Sequence, residues 1–276
     1  MTTLNDLHSI SSSFSNTDKM PVLFLGHGSP MNAIEENQFV TGFRNLAKTL
    51  PQPNAILCIS AHWFTNGTKV TAMQMPRTIH DFGGFPQALF EVQYPAKGSP
   101  ELAQETKKIL EPVHVDLDEH WGLDHGAWSV IKHLYPEANV PVIQLSIDYT
   151  KSGQYHIELA QKLQSLRRKG VLIIGSGNIV HNLRLVDFRN FDKDNYGYDW
   201  AIEARETINS YLLDDNFQPL IDFEKMNKAT QLAIPTPEHY LPLLYTLGLK
   251  EKSEELSLFN DKLLAGSLSM TSVKIM

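Results

Sequence analysis

Four histidines, His27, His62, His181 and His239, stand where an apolar run gives way to a turn or where a helix is due to begin. Imidazole is a good ligand for iron, zinc, copper and nickel, and such a set does not make a dedicated calcium or magnesium cage. A single histidine after a strand is ordinarily a structural or loop residue. Four in equivalent places point to a metal site.

The elements that must carry them follow from the apolar pattern. Residues 21–25 and 55–59 are short unbroken apolar runs that end in Gly26-His27-Gly28-Ser29-Pro30 and Ser60-Ala61-His62-Trp63. They read as buried parallel strands that deliver a histidine at their carboxyl ends, the edge where open α/β sheets bind ligands. Residues 171–178 have the same form, and His181 follows at the expected start of a helix. Thr236-Pro237-Glu238 has helix-start chemistry and puts His239 in a first turn.

Two further loops hold unusual residues. Paired glycines in His80-Asp81-Phe82-Gly83-Gly84-Phe85-Pro86 permit a tight bend whose aromatics wall a pocket. In Asp124-His125-Gly126-Ala127-Trp128, Asp124 caps a helix beginning near Ala127 and holds His125 at its start, where the cationic form is disfavoured. His8 lies in a polar tail, and His114, His133 and His156 read as surface or hydrogen-bonded structural residues.

Apolar runs near 21–25, 55–60, 68–73, 140–147 and 171–176 alternate with helical patterns near 35–50, 99–111, 152–169 and 199–212. This predicts a single-domain layered α/β fold with a central mixed, mostly parallel sheet flanked by helices. Period-two alternation over 266–275 predicts an edge strand, possibly antiparallel. Residues 1–19 read as a flexible polar tail and residues 20–276 as one folded domain.

With 276 residues, 42% of them hydrophobic, the chain buries a full core without needing a second domain. A net charge of −7 with scattered cations excludes a nucleic-acid surface, and Arg167-Arg168-Lys169 reads as a cationic cap on the carboxyl end of a helix. The one cysteine, Cys58, lies in an apolar strand, so neither a disulfide framework nor a thiolate metal site is available. With no secretory signal and no apolar stretch long enough for a span, the expectation is a cytoplasmic protein without membrane partners. Whether it is a monomer or a homodimer is open.

The motifs Gly26-His27-Gly28-Ser29-Pro30-Met31, Ser60-Ala61-His62-Trp63, His80-Asp81-Phe82-Gly83-Gly84-Phe85-Pro86, Asp124-His125-Gly126-Ala127-Trp128, Gly175-Ser176-Gly177-Asn178-Ile179-Val180-His181-Asn182-Leu183 and Pro235-Thr236-Pro237-Glu238-His239-Tyr240-Leu241-Pro242-Leu243 together resemble the class III extradiol ring-cleaving dioxygenases. The nearest branch is the DOPA 4,5-dioxygenases, and the resemblance runs from about residue 20 to the end. It implies that O2 opens the ring of a catechol such as L-DOPA beside its two hydroxyls, giving a seco-DOPA-type semialdehyde. Fe(II) is the implied working metal, with Zn(II) able to occupy the same site.

In that resemblance His27, His62 and His239 match metal ligands. His181 matches the acid/base and a possible fourth ligand, and His125 a second pocket histidine. His239 stands where more distant relatives carry a carboxylate. Glu238, its neighbour, would point about 100° away on a helix. Trp63, His80, Phe82 and Tyr240, inside the same motifs, are candidate substrate contacts. Two other readings compete: a zinc hydrolase on the same α/β layout, in which three imidazoles activate water, and a non-catalytic metal-binding protein.

Overall fold

The computed structural model describes residues 17–191 and 193–276. A six-stranded sheet contains β1 (Val22–Gly26), β2 (Ala55–Ser60), β3 (Val142–Gln144), β4 (Val171–Gly177), β5 (Leu256–Phe259) and β6 (Ser272–Ile275), in the order β3-β2-β4-β1-β6-β5. The first four in that order run parallel, and β6 and β5 are added antiparallel. This is the mixed, mostly parallel sheet that the alternation predicts. The helices are α1 (Gln38–Ala47), α2 (Pro100–Ile109), α3 (His125–Leu134), α4 (Gly153–Lys162), α5 (Asp199–Leu213), α6 (Lys228–Ala233) and α7 (Leu241–Gly248).

Successive strand residues face opposite sides, so the sheet supports two cores. Val22, Phe24, Leu57 and Ile173 face Leu159 and Ala160 of α4, Ala204 and Ile208 of α5, and Leu243 and Leu244 of α7. Leu23, Leu25, Ile56 and Ile174 face Phe39 and Phe43 of α1 and Trp128 and Ile131 of α3. With helices on both faces, β1, β2 and β4 are buried along their whole length, which is why they read as unbroken apolar runs. No helix among the described residues is long and apolar enough to cross a membrane.

Three expectations change. The strand expected over 266–275 is two pieces: Leu268–Ser269 pairs with Leu263–Leu264, and β6 lies inside the sheet between β1 and β5. The edge strand is β5, whose half-exposed Leu256-Ser257-Leu258-Phe259 gives a weak signal. The helix expected over 152–169 ends at Lys162, with a separate turn over Gln164–Arg167.

Arg167 does not cap that helix toward solvent; it is 0% exposed. Its guanidinium donates to the carbonyls of Met20 (2.8 Å) and Leu249 (2.7 Å) and pairs with Glu254. It satisfies carbonyls that burial removes from water. The tail expected over residues 1–19 lies, for residues 1–16, outside the described residues. Thr17 donates to the Arg168 carbonyl at 2.8 Å, and Lys19 pairs with Glu251 and Glu254, both at 2.9 Å.

Burial raises the Glu254 carboxyl, but the hydrogen bonds from Arg167, the Glu251 N–H and Lys19 outweigh it and bring it from 4.5 to about 2. Its contribution to stability is therefore complete above pH 4.5 and lost as pH falls toward 2. Replacing Arg167 by Met should cost about 3–5 kcal/mol in urea unfolding at neutral pH, because Glu254 is left buried without its partner. The gap between wild type and variant should narrow below pH 4.5, where the wild type progressively loses the Glu254 contribution. An unchanged unfolding midpoint would contradict this.

Candidate metal centre

The five histidines meet at the carboxyl ends of the parallel strands. His27 directly follows β1, His62 stands two residues beyond β2, and His125 is the first residue of α3. His181 does not begin a helix. It forms an isolated antiparallel bridge with Leu268, and its N–H donates to the Ala233 carbonyl at 2.8 Å. His239 sits in a turn before α7, which starts only at Leu241. Pro242 has no N–H to return to the Glu238 carbonyl, so regular helix cannot begin earlier.

Two glycines make the convergence possible. A Cβ on Gly177 would lie 2.0 Å from the His239 carbonyl oxygen, so only glycine lets the His239 turn rest on β4, where Asn178 N–H donates to that same oxygen at 2.8 Å. On Gly126 a Cβ would meet Ser60 Oγ at 2.4 Å and the His62 ring at 2.8 Å. Beneath them Asp124 is fully buried. It accepts from Ser60 Oγ (2.6 Å), Ala127 N (3.1 Å), Trp121 Nε1 (3.2 Å) and Gln144 Nε2 (2.8 Å), tying the ends of β2 and β3 to the start of α3.

The hydrogen bonds fix the tautomers. The Ser176 hydroxyl gives its only proton to the Gly126 carbonyl at 2.5 Å. It must therefore accept from His27 Nδ1 at 3.0 Å, which leaves His27 Nε2 as a bare lone pair. His62 Nδ1 lies 3.3 Å from Asp81 Oδ2, and His239 Nδ1 lies 3.3 Å from Glu238 Oε1, so both turn an N–H outward and Nε2 inward. His125 Nδ1 lies 3.0 Å from the same Asp81 Oδ2, at an oblique angle, and its N–H has no straighter acceptor. Asp81 Oδ1 also takes the His125 backbone N–H at 2.9 Å.

His27 Nε2 and His62 Nε2 thus face each other at 3.2 Å with no proton between them. A proton there would require an imidazolium, which the surroundings oppose. Burial and the neighbouring histidines push His27 and His239 well below 6.5, and burial followed by His125 takes His62 to about 4. Burial also brings His181 to about 4, against the opposing effect of Glu238. Buried, neutral, inward-facing lone pairs are what a divalent metal requires. Two nitrogens each about 2.1 Å from one ion lie roughly 3.0–3.4 Å apart at ligand angles of roughly 90–110°, which brackets the His27–His62 separation.

Two groups of possible donors stand side by side, His27, His62 and His125 in one and His181, Glu238 and His239 in the other, with ligand atoms in each within 4.8 Å. The rings of His27, His62 and His239 form a nearly equilateral triangle, with centroids 5.1, 5.1 and 5.3 Å apart. His62 and His125 are closer, at 3.8 Å, and His181 stacks on His239 at 3.6 Å with the planes 11° apart.

These imidazoles floor a cavity of about 710 Å³ whose walls include Phe82, Phe85, Leu183, Val186, Phe188 and Phe191. Of the four expected substrate contacts only Phe82 lines it. Trp63 is buried and stacks on Trp121 at 5.8 Å. His80 donates to the Val92 carbonyl at 2.9 Å and packs against Trp128 behind the wall. Tyr240 is fully buried, its hydroxyl donating to the Leu220 carbonyl at 2.9 Å. Its position beside His239 on the chain carries it into the core, because adjacent residues leave a turn in different directions.

The family described as the catalytic LigB subunit of aromatic ring-opening dioxygenase matches residues 21–267. The chain belongs to this family. Among relatives, a protein named 4,5-DOPA dioxygenase extradiol from Escherichia coli (strain K12) is 48% identical over 94% of this chain and 96% of its own length. One of the same name from Beta vulgaris is 34% identical over 91% of this chain and 94% of its own. A crystal structure of an uncharacterized protein from Escherichia coli K12 superposes with a TM-score of 0.80 at 43% identity, covering 94% of this chain and all of that one. The protein is accordingly an aromatic ring-opening dioxygenase, and its inward-facing imidazoles suit the metal that such chemistry uses. The hydrolase reading and the non-catalytic reading lose their ground.

Asp81 is the residue that sequence reasoning passed over, although it stands in a quoted motif: one carboxylate orients both His62 and His125. Against the effect of burial, the His125 hydrogen bond and the two imidazoles lower its pKa. In Asp81→Asn the amide can turn its oxygen to both Nδ1–H groups only by setting its NH2 against the His125 backbone N–H, and in the other flip both imidazoles face NH2, so the orientation of their Nε2 atoms is weakened either way. Metal affinity should fall about 10- to 100-fold in a competition titration. Wild-type affinity in Asp81→Asn would show that His62 needs no such support.

Proposed function

We propose that the protein opens the ring of L-DOPA or a closely related 4-substituted catechol with O2, at the bond outside the diol, using Fe(II) held by His27, His62 and His239. The observation that carries the reading is the near-equilateral triangle of these three rings at the floor of an aromatic-walled cavity. An imidazole bound through Nε2 has its centroid roughly 3.2 Å from the ion, so two ligands at roughly 90–110° have centroids roughly 4.5–5.2 Å apart. Two of the three pairs, at 5.1 Å, fall at the open end of that range, and the third, at 5.3 Å, lies just beyond it. The closer pairs, His62 with His125 and His181 with His239, fall below it.

In this reading His125 and His181 stand outside the ligand set, and His181 serves as the acid/base rather than as a fourth ligand because its ring stacks on His239 with the planes 11° apart. Glu238 is engaged by His239 Nδ1 and by Thr236 Oγ at 2.7 Å, and acts by orienting His239. DOPA, the substrate for which the relatives are named, agrees with a cavity large enough for a catechol carrying a side chain.

When bound, Fe(II) supplies the redox-active centre that couples the catecholate to O2. Zinc suits the same imidazoles but has no redox chemistry to offer. The residues of the chain do the rest. His181, held neutral by burial, accepts the proton that a catechol hydroxyl loses on binding. His125, backed by Asp81, presents Nε2 to the cavity as an acceptor for the second hydroxyl. Phe82 packs edge-on to the His125 ring at 5.5 Å and, with Phe85, keeps water from that side. Both atoms of O2 end in the product, a semialdehyde that retains the carbon skeleton.

The Fe(II)-reconstituted protein, given L-DOPA in air, should consume O2 and form a yellow product two oxygens heavier with the ring open. A dicarboxylic muconate, or the same product without O2, would defeat the reading. His27→Ala or His62→Ala should lose most bound metal and all ring cleavage. His181→Ala should keep its metal while turnover falls roughly 10²- to 10⁴-fold. Wild-type turnover in that variant would remove His181 from the mechanism.

A further inference from the structure

The cavity above the imidazoles is one-sided in charge. Among the described residues its lining includes no lysine or arginine and two acidic residues, Asp81 and Glu35. Asp81 is committed to His62 and His125. Glu35 has no cationic partner among the described residues, since Arg44 is taken by its neighbour Glu36. Its backbone is nonetheless fixed. The Glu35 N–H donates to the Met31 carbonyl at 2.9 Å, against the single turn of 3-10 helix over Pro30–Ala33. Asn32 in that turn donates to the His27 carbonyl, also at 2.9 Å. The Glu35 backbone is thereby held at a set place relative to a metal-site histidine, and its exposed carboxylate lines a cavity whose other wall is apolar.

We propose that Glu35 is a specificity-determining residue that receives a protonated amine on the ring substituent. The preferred substrates are then catechols with an ammonium group on a short apolar tether, and catechols whose chain ends only in a carboxylate are disfavoured. This deepens the ring-cleavage reading and rests on it. A lone carboxylate substituent meets no cation inside the cavity. Lys193 lies in an adjoining pocket of about 300 Å³ that shares Ser29, Glu35 and Phe191 with the main one. An amino-acid side chain suits both, with its ammonium at Glu35 and its carboxylate turned toward the adjoining pocket.

The test is anaerobic calorimetric titration of the metal-loaded protein with dopamine, 3-(3,4-dihydroxyphenyl)propanoate and 4-methylcatechol, for wild type, Glu35→Gln and Glu35→Lys. Wild type should bind the amine more tightly than the acid. Glu35→Gln should reduce that preference roughly 3- to 10-fold, in line with one partly solvated charge pair, and Glu35→Lys should reverse it. The same amine-to-acid ratio in all three proteins, with 4-methylcatechol still bound, overturns the assignment of Glu35 alone. Failure of wild type to bind 4-methylcatechol, which has no charge to be read, overturns the ring-cleavage reading and this inference with it.

Discussion

Imidazole lone pairs aimed at one region inside a buried cavity repel each other unless a cation lies between them. That constraint organises the molecule. The protein creates it by giving each Nδ1 an acceptor, Ser176 for His27, Asp81 for His62 and His125, and Glu238 for His239, so that every Nε2 is turned inward. It also withholds the alternative cure, protonation, by burial that pulls His27, His62, His181 and His239 below their ordinary value. The remaining way to relieve the repulsion is a metal ion, and the polar groups around the site are arranged so that the ion is the better choice.

The fold serves this arrangement by rigidity more than by chemistry. β1, β2 and β4 are adjacent and parallel, so the residues after them emerge along one edge, and His239 is laid against β4 where Gly177 has no side chain. Asp124 is buried with four donors and joins two strand ends to the helix that carries His125. Away from the site, Arg167 performs a comparable task with Met20, Leu249 and Glu254. In both places a charge is taken out of water and kept there by a complete set of partners, which fixes the geometry even where its net contribution to stability is small.

The parallel strands, His27 and His62 at their ends and the Asp124 cap were legible in the sequence because each depends on local pattern: an apolar run, a turn, a residue before a helix. What was not legible depends on distance along the chain. Asp81 meets His62 and His125 only after the fold closes, Arg167 looks like a surface cation until Glu254 is placed beside it, and Glu35 gains meaning only from the cavity it faces. Tyr240 and Trp63 were misjudged for the complementary reason. Adjacency to a ligand in sequence does not set side-chain direction, and both point into the core. The edge strand β5 escaped notice because a half-exposed strand lacks the strong apolar signal of its buried neighbours.

The central claim is that three histidines hold the metal while two others work beside it. Anomalous diffraction from crystals of the iron-loaded protein, recorded at the iron edge, tests it most directly. The account predicts one peak nearly equidistant from the Nε2 atoms of His27, His62 and His239, at about 2.0–2.2 Å from each, with His125 and His181 clearly farther away. A peak bonded to His125 or His181 in place of His239, or one away from these residues altogether, would contradict it.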